Sequence, residues 1–100
     1  LEGIKVFMVI AKFPVDVNVS EFIPLANYLS EKGHEAFYDP ELCSWSLSIK
    51  FEDASISLQN KRGVMWVKDY GKVGEIAERV CGLVAEYRGA TSADVRAVDA

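Results

Sequence analysis

Trp45-Ser46-Leu47-Ser48-Ile49-Lys50-Phe51-Glu52-Asp53-Ala54-Ser55-Ile56-Ser57-Leu58 alternates apolar and polar residues with a single interruption. Trp45, Leu47, Ile49 and Phe51 occupy one set of positions, and after Asp53 the residues Ala54, Ile56 and Leu58 resume it. Successive side chains of a strand point to opposite faces, so this period of two describes strands with one dry face. A turn centred on Glu52-Asp53 pairs Phe51 with Ala54, Ile49 with Ile56 and Leu47 with Leu58, while Ser48 meets Ser57. A slip of one residue would turn the apolar set towards water, so the register is strongly specified. The turn itself is chemically poor, because neither central residue is Gly or Asn. The stretch predicts a hairpin with an apolar face and a serine-rich face.

Working outward, Asn60-Lys61-Arg62-Gly63 is a better turn and leads to a further strand, Val64 to Val67. Whether its loop holds three or four residues decides which of Met65 and Trp66 faces the core, and the sequence leaves both open. On the other side, Glu35 to Tyr38 reads as a short strand closed by Asp39-Pro40. Before it, Phe22, Leu25, Ala26 and Leu29 form one apolar helical stripe starting near Glu21, with Pro24 in the first turn. Asp16, Asn18 and Ser20 are its candidate N-caps, and Lys32-Gly33 is its stop. Lys5 to Ile10 is a short apolar run that predicts a strand buried on both faces, central in the sheet and ended by Phe13-Pro14.

A last helix carries Val73, Ile76, Ala77, Val80, Val84 and Tyr87 as its stripe, with Gly89 as its stop. Gly82 inside it is expected where a strand or a second subunit packs close. Residues 90–100 are read as an edge strand at Asp94 to Val98 or a frayed tail. Together these elements predict one α+β domain over residues 1–100. It is a two-layer sandwich, a largely antiparallel sheet with two helices on one face, ferredoxin-like or related.

Charge and cysteines exclude several functions. The chain carries 15 acids against 11 bases, a net charge of −4. Its densest basic run is only Lys61-Arg62, so neither nucleic acid nor an anionic membrane is an expected partner. Cys43 and Cys81 form no CxxC, and the single His34 completes no ligand set, so no metal site is expected and two free thiols are. The run from Ile4 to Ala11 is far short of the ~20 residues of a membrane span and lacks a signal peptide's uninterrupted centre. The expectation is a soluble cytoplasmic protein.

Motifs with chemistry are few. Asp16-Val17-Asn18-Val19-Ser20 imitates half a calcium loop, but Glu21 stands where the loop needs Gly and Asn27 where it needs Glu. Gly71-Lys72-Val73-Gly74 matches no phosphate-binding fingerprint and reads as a flexible turn. His34 has no sequence-adjacent acid or nucleophile, and Cys81 borders an apolar stripe where small thiols are inert.

One resemblance bears on function. Lys5-Val6-Phe7, the helix from Phe22 to Gly33-His34-Glu35, and Tyr38-Asp39 resemble the start of a TIR domain. Ser46-Leu47 through Phe51-Glu52-Asp53-Ala54 is similar to the segment bearing that family's catalytic glutamate, and nucleoside deoxyribosyltransferases open in a similar way. The resemblance implies cleavage of an N-glycosidic bond in NAD or a nucleoside, with Glu52 stabilising the ribosyl cation. It also implies a helix around Glu52, where the alternation predicts a hairpin.

The leading expectation is a small binding or interaction module without a catalytic site or cofactor. With 11 aromatics and open sheet edges to cover, it is expected to self-associate as a homodimer. Trp45 and Trp66 are its candidate binding residues. The alternative is the Glu52 enzyme, and a third reading is a small-molecule sensor with a pocket between helix and sheet.

Overall fold

Inward-facing apolar residues on every strand give one sheet a single dry face, and two helices cover it. A computed structural model describes residues 9–99, the helix beyond Thr91 as backbone alone. The elements are β1 (Val9–Pro14), α1 (Phe22–Glu31), β2 (Glu35–Phe37), β3 (Leu47–Lys50), β4 (Ala54–Gln59), β5 (Arg62–Val67) and α2 (Val73–Asp99). The sheet runs β1-β5-β4-β3-β2, antiparallel throughout. This is the expected α+β two-layer sandwich. Four strands separate its helices, against two in the β-α-β-β-α-β ferredoxin-like unit.

The hairpin register is the one the alternation predicts: Leu47 lies opposite Leu58, Ser48 opposite Ser57 and Ile49 opposite Ile56. Phe51 N–H closes the ladder on the Ala54 carbonyl at 2.8 Å. Neither Glu52 nor Asp53 adopts positive φ, so the turn lacks the geometry that hairpins favour. A helix supplies what the turn lacks. Arg79 of α2 donates to Asp53 at 3.2 Å, and its guanidinium lies 4.9 Å from the Phe51 ring centroid. Trp45 does not share the dry face: it lies in the loop before β3 and is 61% exposed.

Helix α1 buries the predicted stripe of Phe22, Leu25, Ala26 and Leu29. Of the three candidate caps Asn18 is the one used, at the short 3-10 turn that leads in, where its N–H donates to Glu21 at 3.0 Å. Gly33 ends the helix at φ +91°, and the N–H groups of Gly33 and His34 return to Ser30 and Leu29.

Strand β1 corrects the expectation of a central strand. It lies at the sheet edge and Ile10 is 60% exposed, while the strand ends at Pro14 as expected. An edge position tolerates both, since a proline's missing donor is needed only where a neighbour must pair. Residues 5–8 of the predicted strand lie outside the described residues.

Gln59 pairs with Arg62, so the β4–β5 loop is Asn60-Lys61, two residues long. Met65 therefore faces the core, fully buried, and Trp66 faces out. Gly63 belongs to the strand, not the turn. It sits opposite Phe13, whose ring occupies the space a Cβ would need.

Helix α2 buries Ile76, Val80, Leu83 and Val84 and continues to Asp99. Gly89 is no stop, because it stays at negative φ, and the expected edge strand at Asp94 to Val98 is helix. Among the described residues of the single chain no strand packs close to Gly82. Its substitution by Ala should raise stability by up to about 1 kcal/mol. Gly63→Ala should lower it by about 1–3 kcal/mol, because Phe13 must move. Urea denaturation of the two variants checks both signs.

Candidate functional site

The antiparallel register decides what the helix-free face of the sheet carries. One row across it is Ile10, Trp66, Ser55, Lys50 and Glu35. The next is Lys12, Val64, Ser57, Ser48 and Phe37, and a third begins Pro14, Arg62, Gln59. With strands about 4.8 Å apart, five of them make a platform roughly 19 Å across, its rows about 7 Å apart. Serines 48, 55 and 57 form a flat polar floor, and Ser46 and Ser57 share a hydroxyl–hydroxyl hydrogen bond. Trp66 and Phe37 stand on either side of that floor. Trp66 is half-buried and Phe37 is 61% exposed.

Charge is segregated between the layers. Within these three rows the described residues include Lys12, Lys50 and Arg62 against one carboxylate, Glu35, while Glu52 and Asp69 border the Lys50–Ser55–Trp66 end, on a chain whose net charge is −4. Among the described residues none of these three cations forms an ion pair. The ion pairs lie elsewhere: Arg79 with Asp53 and Glu75, and Arg88 with Asp16 at 2.8 Å and Glu21 at 2.9 Å. The Arg79 hydrogen bond holds the Asp53 carboxyl below its ordinary range. Glu21 is lowered chiefly by the Asn18 N–H and further by Arg88.

The candidate binding residues separate. Trp66 lies on the open face beside Ile10 and Ser55, while Trp45 precedes the opposite end of β3, so no common site joins them. Glu52 is exposed in the hairpin turn, and two strands stand where the TIR-like resemblance implies a helix. His34 is half-buried with its ring edge-to-face on Phe51 at 6.2 Å. Cys43 and Cys81 are free thiols. The N–H of Gly71 is taken by the Asp69 carboxylate at 2.9 Å, which leaves the glycine turn as a capped helix lead-in. Among the described residues no group of three or more His, Cys, Asp or Glu gathers as a metal site, and no helix is long and apolar enough to cross a membrane.

The sequence reading missed Phe37, Ile10, Lys12, Lys50 and Arg62 as a group. Lys50 was legible on the wet side of the hairpin. Lys12 and Arg62 join it only through pairing of β1 with β5, which no local pattern announces. Comparison with protein-family models, curated proteins and solved structures gave no match.

The lowered carboxyls set an acid limb to stability. Their contribution is complete above the ordinary values of 4.5 for Glu21 and 3.8 for Asp53, and it is lost as pH falls through the lowered values. Arg79→Ala should flatten the Asp53 part of that loss, read as a smaller drop in urea midpoint between neutral and acidic pH than the parent chain shows.

Proposed function

We propose that the chain is a non-catalytic binding module whose working surface is the open sheet face, and that this face takes nucleic acid. The carrying observation is the gathering of three unpaired cations and two aromatics on one face of an otherwise acidic domain. Lysine and arginine on a surface gain affinity by releasing counterions from phosphates. Aromatic rings on a sheet are platforms for bases, and a serine floor offers hydroxyls that donate or accept. The sequence argued against nucleic acid because it holds no basic run. That argument counts neighbours along the chain, whereas Lys12, Lys50 and Arg62 share one face of the sheet through cross-strand register.

Self-association is the second reading, favoured by the outer edges of β1 and β2, to which nothing pairs among the described residues. Edges rather than the open face would carry it. Two copies meeting face to face would oppose like charges.

Fluorescence anisotropy with labelled single-stranded and duplex oligonucleotides tests the proposal. Three phosphate contacts give a slope of log K against log salt of about −2 for single strands and about −2.7 for duplex. Removing one of Lys12, Lys50 or Arg62 should reduce that slope by about 0.7–0.9. Phe37→Ala, at an exposed position, should weaken binding by about 1–3 kcal/mol. Absence of saturable binding at low salt, or binding indifferent to these substitutions, overturns it. A solution mass near twice 11.1 kDa that persists in the face variants supports association through an edge.

A further inference from the structure

A cleft lies on the helix side, where the end of β1, the β4–β5 turn and α2 meet. It is an open cleft of about 660 Å³, within the range of small-molecule sites. Pro14, Val15, Val84 and Ala85 give it an apolar wall, and Cys81 stands at its side with its thiol directed to the Pro14 carbonyl at 3.6 Å. Two cations line it, and they differ. Arg88 is occupied by Asp16 and Glu21, whereas Lys61 has no ion pair among the described residues.

Lys61 is also the one non-glycine residue at positive φ among those described, at +58°. Gly or Asn would hold that turn position at lower cost. The turn is pinned by the Lys61 N–H, which donates to the Val17 carbonyl at 2.7 Å. The Lys61 side chain therefore stands on a fixed, conformationally costly turn at the rim of the cleft.

We propose that this cleft binds a small monoanionic amphiphile, its hydrocarbon body on the Val15–Val84–Ala85 wall and its carboxylate on the Lys61 ammonium. The single free cation sets the charge of the occupant, and the apolar wall sets its body. The cleft shares only Pro14 with the rows of the open sheet face, and Pro14 supplies no contact the nucleic-acid proposal uses, so the two proposals stand or fall separately.

Decanoate is the probe, with decanol as the uncharged control, followed by backbone amide shifts of the whole chain. Saturable decanoate shifts are expected at Val15, Lys61, Cys81 and Ala85, with decanol weaker by about fivefold or more. Lys61→Gln should weaken decanoate to the decanol level, Lys61→Arg should retain most of the affinity, and Ala85→Phe should abolish binding by filling the cleft. Decanoate should also slow alkylation of Cys81 by iodoacetamide while leaving Cys43 unchanged. Because Ala85 is an exposed helical position, its variant keeps the test informative if the turn variants unfold. Equal binding of decanoate and decanol, shifts elsewhere, or full affinity in Ala85→Phe overturns the proposal.

Discussion

Six residues of β1 pair with six of β5 across 48 to 58 positions of sequence, and the architecture depends on that pairing. Without it β2 to β5 would be a plain meander with β5 as an unpaired edge. With it the chain must travel from β1 at one edge to β2 at the other, a distance of roughly 19 Å. Helix α1, ten residues and about 15 Å long, spans most of that distance and brings its apolar stripe over the sheet. Phe13 then lies over Gly63, and the missing Cβ is what lets the ring enter the core at the sheet edge.

Weak local choices in the chain are supported from the helix layer. The Glu52-Asp53 turn has no residue suited to a tight hairpin, yet Arg79 bonds to Asp53 and covers Phe51. Lys61 holds a left-handed conformation while its N–H is tied to the loop that enters α1. Arg88 clamps the same loop through Asp16 and Glu21, and Tyr28 meets Tyr87 edge-to-face at 5.8 Å between the helices. Each contact joins segments far apart in sequence, so turns that are marginal alone become fixed once α2 docks.

The same docking sorts charge. Carboxylates of Asp16, Glu21, Asp53 and Glu75 are matched to Arg79 and Arg88 of α2, while among the described residues Lys12, Lys50 and Arg62 form no ion pair. A net charge of −4 therefore describes no surface of this molecule well. An acidic chain can present a locally basic platform when its acids are concentrated on the other layer.

Where periodicity carried the signal, sequence and structure agree. The β3–β4 register, the buried stripe of α1 and its glycine stop are local patterns, set by a period of two, a period of 3.6 and one positive φ. The α+β layout follows from their order. Strand order was not local: Val9 and Ile10, the described end of the run that reads as a central strand, lie in the edge strand β1, because nothing within the run names its partner. Gly89 reads as a stop, but a glycine ends a helix only where the chain turns to positive φ, which Gly89 does not. Trp66, Phe37, Lys12, Lys50 and Arg62 share a face solely through cross-strand register. The sequence by itself determined which segments pair or coil with their neighbours, because those choices are made over a few residues. Only the tertiary structure decided which distant side chains share a surface, because that requires the long-range β1–β5 ladder.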